Sequence, residues 1–263
     1  MKKLLALLLA LCMVMAFAAC QPADNTPNND NTNNTEDTGS DVVDIHAKSE
    51  GVMTHAEYMA AEVGAEVTVE CFVQNTQSWW NDSITIYAQD KDGGYFLYNM
   101  VCTEDNAKLL VPGTKIRATG SKAEWSGEIE IMEGTIEILE GSYIAEAVDV
   151  TAELGTDALA AKQNMLASFK GATVVAKTDA DGNEVPFLYK WNGAGAEGDD
   201  IYFDVEVNGA TYTFTIESYL TADGTDVYEA AQNLKVGDVI DMTGYLYWYE
   251  GVQPHIISIT PAA

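Results

Sequence analysis

Residues 112–127 read PGTKIRATGSKAEWSG, and residues 236–251 read VGDVIDMTGYLYWYEG. Gly113, Gly120 and Gly127 in the first stretch recur at the same spacing as Gly237, Gly244 and Gly251 in the second. Each stretch carries Thr-Gly at its centre and a tryptophan, Trp125 or Trp248, shortly before its last glycine. Gly113 and Gly237 stand where a helix would hand over to a strand and the chain reverses, which favours a residue free to adopt positive φ. Gly120 and Gly244 fall inside a strand, at the point where a small barrel must bend and a Cβ would intrude. Gly127 and Gly251 fall in the turn to the next strand. The chain therefore builds one piece of barrel hardware twice.

The flanking sequence repeats the same order of elements. Thr54 and Glu57 have capping-box spacing, which predicts a short helix ending near Gly64. Val67, Val69, Cys71 and Val73 alternate with Thr68 and Glu70, the mark of a half-buried strand with its polar residues toward solvent. Residues 83–89 and 95–101 read as two further strands joined by the hairpin turn DKDGG. A short helical piece at 103–110 is capped by Thr103, and strands follow over 114–125 and 127–139. In the second half a helix-like stretch, 156–169, precedes a strand at 172–178, with 184–191 extending the same layer. Strands at 200–207 and 210–218 flank Asn208-Gly209, a strong hairpin signal. A helix at 225–234 and strands at 236–249 and 252–260 complete the series.

Three strands, a helix and two strands, taken twice, resembles the OB-fold, a five-stranded Greek-key barrel. The resemblance covers nearly all of residues 51–140 and, more loosely, 167–260. The fold class expected is mainly β, with two tandem OB-like barrels and short flanking helices, one domain over 50–142 and the other over 143–263.

The N-terminus states a location. Lys2 and Lys3 precede an apolar run from Leu4 to Phe17, shorter than the ~20 residues of a spanning helix. Ala18-Ala19-Cys20 resembles the lipobox of bacterial lipoproteins, with Phe17 where leucine is usual. That likeness implies a signal peptide over 1–19 and acylation of Cys20, with the protein held at the outer face of the plasma membrane. Residues 20–49 then form a polar Asn/Thr/Asp tether with too few apolar side chains for a core. The whole layout is similar to bacterial lipoproteins that carry OB-like domains.

Thirteen Lys and Arg against forty-one Asp and Glu give a net charge of −28. Such a charge repels phosphate backbones, so nucleic acid is not expected as a partner. Apart from Cys12 in the signal and Cys20, the cysteines are Cys71 and Cys102, expected as two buried thiols rather than a disulfide.

The five tryptophans, Trp79, Trp80, Trp125, Trp191 and Trp248, all fall in the loops that gate the ligand face of an OB-fold. Adjacent Trp79 and Trp80 cannot both point inward from extended backbone. Tyr245, Tyr247 and Tyr249 alternate with Leu246 and Trp248, which makes one side of that strand rich in tyrosine. These eight aromatics are the expected binding residues, for a neutral oligosaccharide, a peptide, a small planar ligand or a cationic small molecule. The competing expectation is that they plug barrel ends, leaving a structural module that meets another cell-surface protein. Lys122, Lys190 and Arg117 are the cations near these loops, outnumbered by acids. DKDGG and DADGN lack the rest of a calcium loop, and His46, His55 and His255 share no metal-ligand spacing. No catalytic motif occurs and no cofactor is implied. Small barrels also leave little room for a buried, pKa-shifted acid, so no catalytic residue is singled out and a non-catalytic module is expected. The remaining alternative, a surface hydrolase accessory, needs two carboxylates facing each other in a cleft.

Overall fold

The computed structural model describes residues 44–262. The expected signal peptide, Cys20 and the expected tether up to residue 43 lie outside the described residues.

In the first repeat, helix α1 (His55–Ala60) starts on the expected capping box. The Thr54 hydroxyl accepts from Glu57 N at 3.2 Å, and the Glu57 carboxylate accepts from Thr54 N at 2.8 Å. Strands β1 (Glu66–Thr76), β2 (Ser83–Gln89), β3 (Gly94–Val101), β4 (Thr114–Trp125) and β5 (Glu128–Ser142) follow, with α2 (Glu104–Ala107) between β3 and β4. They close in the order β1-β2-β3-β5-β4, with β3 parallel to β5 and β1 antiparallel to β4. Val67, Val69, Cys71 and Val73 point into this barrel and are buried, as their alternation predicts. Cys71 and Cys102 are buried free thiols.

Glu70 departs from the expected pattern. It was assigned to the solvated side, yet it is buried, because β4 sets Arg117 directly across from it. Arg117 donates to Glu70 at 2.8 and 3.2 Å, and Lys115 lies 3.5 Å away. Residues 44–49, grouped above with the tether, cover this face. Lys48 pairs with buried Asp90 at 2.5 Å, and His46 meets Phe72 and Tyr143 edge-on.

The second repeat contains β6 (Val148–Asp149), β7 (Leu166–Val175), β8 (Lys177–Thr178), β9 (Glu184–Val185), β10 (Phe187–Tyr189), β11 (Ile201–Val207), β12 (Ala210–Ile216), β13 (Val239–Tyr245) and β14 (His255–Pro261), with α3 (Asp226–Gln232) before β13. Its barrel closes as β7-β11-β12-β14-β13, the same circuit as the first, again with one parallel pair, β12 with β14. Two expectations are corrected. The helix placed at 156–169 is a 3-10 turn over Asp157–Lys162, because Leu166, Ala167, Ser168 and Phe169 are recruited into β7 by pairing with β13. Strand β13 stops at Tyr245 rather than running to residue 249, and Trp248 instead bridges to Val252 in the loop.

The glycine ladder is accounted for. Gly113 and Gly237 have φ of 95° and 94°. At Gly120 and Gly244 the ladder of hydrogen bonds slips by a residue, and the neighbouring strand backbone comes close. A Cβ on Gly244 would lie 2.4 Å from the His255 carbonyl oxygen and 2.9 Å from Ile256 Cα, neither of which can swing away. Gly244→Ala is therefore expected to cost about 1–3 kcal/mol, measured as a lower urea midpoint with an unchanged slope.

Candidate ligand-binding cleft between the barrels

The last rungs of the two ladders meet. Glu250 N donates to Ser126 O at 2.7 Å, and Trp248 N donates to the Glu128 carboxylate at 2.9 Å. Around this junction the barrels are joined by Tyr87 and His255 at 2.6 Å, by Gln77 donating to Glu217 at 3.0 Å, and by Gln163 donating to Gly127 O at 2.8 Å. Tyr87 and Phe96 on the outer face of the first barrel form a separate apolar cluster with Tyr245, whose ring stacks on Tyr87 at 4.6 Å.

Beside this seam lies a cleft of about 1390 Å³ with walls from both barrels. The first barrel contributes Trp79, Trp80, Phe96, Tyr98, Trp125 and Glu130, and the second Trp191, Tyr202, Glu217, Tyr219, Tyr247 and Tyr249. The loops were expected to serve two barrels separately, but they converge on one shared space. Trp80, Trp125 and Trp191 are 78%, 60% and 75% exposed. Local backbone explains two of them. Asn81 and Asp82 have φ of 49° and 57°, and Trp80 and Ser83 exchange backbone bonds of 3.0 Å, a two-residue turn that holds Trp80 out. Trp125 ends β4 just before the two-residue turn Ser126-Gly127, with φ of 50° and 94°.

The other predicted residues divide. Trp79 turns inward, packs on the core of the first barrel and donates its indole N–H to Cys102 O at 2.8 Å, so adjacent Trp79 and Trp80 do take opposite directions. Tyr247 lines the cleft, half-buried, with its ring stacked on His255 at 4.1 Å. Tyr249 lines it and is exposed. Trp248 packs against the core of the second barrel, and Tyr245 is buried in the seam, so neither belongs to the lining. The cause is the early end of β13: beyond Tyr245 the alternation that was to align the tyrosines no longer applies.

Acids line the cleft where none was expected to be shifted. Burial raises the Glu217 carboxyl to about 7 and lifts that of Glu130 above its ordinary range. Behind the cleft, burial brings Glu128 to about 8. The expectation that small barrels leave no room for such groups is corrected, because the room lies between barrels rather than within one. Burial also depresses His255 to about 3, which keeps its ring neutral. The three cations assigned to the loops are committed elsewhere. Arg117 holds Glu70 and Glu137, Lys190 pairs with Asp199 at 3.3 Å, and Lys122 is buried under α1. Tyr98, Tyr219, Glu130 and Glu217 were missed, although Tyr98 and Glu130 could have been read from the outward phase of their strands.

No protein-family model matches the chain, and no curated protein matches it. Among solved structures, the tetrameric p202 HIN2 is similar at 9% identity and a TM-score of 0.32, covering 77% of this chain and 96% of that one. A murine DNA binding protein bound with double-stranded DNA is similar at 10% identity and a TM-score of 0.35, covering 74% of this chain and 96% of that one. A replication protein A heterotrimer bound to single-stranded DNA gives 10% identity and a TM-score of 0.29, covering 75% of this chain and 49% of that one. Two of these are DNA complexes, and they correct the expectation that set nucleic acid aside as a partner. That expectation rested on the net charge of the chain and on the excess of acids over cations around the loops. Fold and cleft together define the class: a mainly β chain of two tandem OB-fold-like barrels that share one cleft.

Proposed function

We propose that the protein is a cell-surface lipoprotein, anchored through an acylated Cys20, that binds an oligosaccharide in the cleft between its barrels. The observation that carries this reading is the set of three solvent-facing indoles, Trp80, Trp125 and Trp191, disposed around one cleft. Indole and phenol faces stack on the apolar faces of pyranose rings, while amides and carboxylates take the hydroxyl edges. Gln77, Asn99, Gln253 and Glu124 supply such edge groups in the same lining. A folded monomeric surface rarely leaves three tryptophans bare unless something is to cover them.

The test is tryptophan emission of the soluble chain titrated with a panel of defined oligosaccharides. A saturable shift is expected, weakened roughly tenfold by Trp80→Ala and again by Trp191→Ala. Trp248→Phe is expected to leave the affinity unchanged, since Trp248 belongs to a core. A panel that leaves the spectrum unmoved would sink the reading, as would a single-stranded oligonucleotide that alone produces the tryptophan-dependent shift.

A further inference from the structure

Glu130 is 7% exposed, lines the cleft, and has no hydrogen-bond or ion-pair partner among the described residues. Its place follows from the register. On β5, Ile129 and Ile131 turn to the barrel core, so Glu130 points outward, opposite Ala123 on β4 and Phe96 on β3. Tyr98 and Trp125, the next residues out on those two strands in the same phase, also line the cleft. A second carboxylate, Glu217, enters from the other barrel, but its oxygens are already engaged by Gln77 and by Tyr219 N. The lysine in the lining, Lys177, is tied to Asp204 at 2.7 Å. The cleft thus offers one carboxyl group with no partner from the protein, its side chain largely buried but its oxygens open to the cleft and ringed by aromatic faces. No lysine or arginine of the lining is free to pair with it.

A carboxylate that has lost much of its water is stabilised when a positive group reaches it. Aromatic rings present negative faces, so the same walls that stack a sugar also favour a cation. We infer that the ligand carries a protonated amine, and that the cleft binds an amino-sugar oligosaccharide whose ammonium pairs with Glu130 while its rings lie on Trp80 and Trp125. This rests on the reading of the cleft as an oligosaccharide site and adds the charge that selects among such ligands.

The experiment compares two probes of equal length and linkage, a β-1,4 glucosamine oligomer and its fully N-acetylated counterpart, titrated into the chain at a pH where the amine is protonated. The amine form is expected to bind about tenfold tighter, the lower end of couplings measured for close charge pairs. Glu130→Gln is expected to erase that preference while the tryptophan response to both oligomers persists. Tetramethylammonium, which has a charge and no ring hydroxyls, is expected to displace the amine oligomer from the unsubstituted chain, a result that needs no variant to fold. Equal affinity for both oligomers, or a preference that survives Glu130→Gln, overturns the inference and leaves the cleft standing as a neutral-sugar site. Failure of both oligomers to move the emission overturns the inference together with the reading beneath it.

Discussion

Between pH 6.5 and pH 8.5 the protein is expected to lose about 2 kcal/mol of folding stability, and Glu128→Gln should remove most of that loss. Glu128 lies in the seam between the barrels and is fully buried. One of its oxygens accepts from Trp248 N at 2.9 Å, while the other is buried without a partner, as is the side-chain oxygen of Asn164. A protonated carboxyl brings no charge into this site, and its unpartnered oxygen becomes a donor instead of a bare acceptor. Burial accordingly raises the group from 4.5 to about 8. The unfolded chain gives up this proton near 4.5 and the folded chain keeps it until about 8, so across that window the native state holds the extra proton. Each step upward in pH then costs stability, and Glu217, raised to about 7, adds to the loss with the same sign.

The lower limit of the comparison is set by His255. Burial depresses it from 6.5 to about 3, so below 6.5 the unfolded chain binds a proton that the native ring refuses. This offsets one of the two glutamates, and stability falls toward acid only below about 4.5, where the unfolded glutamates are protonated as well. The expected profile has a maximum at about pH 4.5, where the unfolded glutamates take up their protons, descending on the alkaline side through Glu128 and Glu217 and on the acid side through His255. Urea unfolding at four or five pH values, with the Gln variant run beside the parent, gives both slopes. A stability that rises from pH 6.5 to pH 8.5 would contradict the burial of these two acids, and with it the docking of the barrels.

Much of the fold was legible because its signals are local. The Gly120 and Gly244 positions marked the bend in the fourth strand of each barrel from spacing alone, and Asn208-Gly209 fixed its hairpin through two residues at φ of 54° and 78°. Thr54 and Glu57 found each other across three residues. The cleft was only half legible, for a reason of the same kind. Alternation says which face of a strand a residue takes, and so predicted that Trp79 and Trp80 would part. It does not say which face of one barrel will meet the other. That meeting is made by Gln163, Asn164 and Glu128, residues that by themselves resemble the end of a helix and the solvated edge of a strand. Their pairing turns two sets of loops into one site and buries acids that would otherwise be ordinary. Leu166 to Phe169 were misassigned for a related reason, since a stretch compatible with a helix was taken into a sheet by partners far along the chain.

Lys122→Met is expected to destabilise the protein by about 3 kcal/mol while leaving the cleft as it was. By its position near the fourth strand's end, Lys122 reads as a cation available to a ligand. The structure gives it another task. It is 4% exposed, and its ammonium donates to the carbonyl oxygens of Tyr58, Met59 and Ala61 at 3.1, 2.7 and 2.8 Å. These carbonyls belong to the last turn of α1 and the residue after it, where a helix has acceptors without intrahelical donors. The helix has no basic residue of its own in that turn, so Lys122 supplies from β4 the positive charge that a helix C-terminus favours. Its ring neighbour Tyr58, with the ammonium 5.5 Å from the ring centre, is fully buried in the barrel core, which ties the helix end to the packing beneath it. Methionine preserves the stem and most of the volume, and removes the three donors. Three carbonyls, that of Tyr58 buried and those of Met59 and Ala61 partly so, are then left to share whatever water can enter, at a cost set by hydrogen bonds to a charged group rather than by a cavity. The urea midpoint should fall accordingly, and α1 should lose its amide protection before the rest of the first barrel. The neighbouring Ala123, Glu124 and Trp125 line the cleft and Lys122 does not, so ligand-induced tryptophan emission should titrate with the parent's affinity under conditions where the variant is folded. A variant of parental stability but weakened ligand binding would return Lys122 to the ligand and take it from the helix.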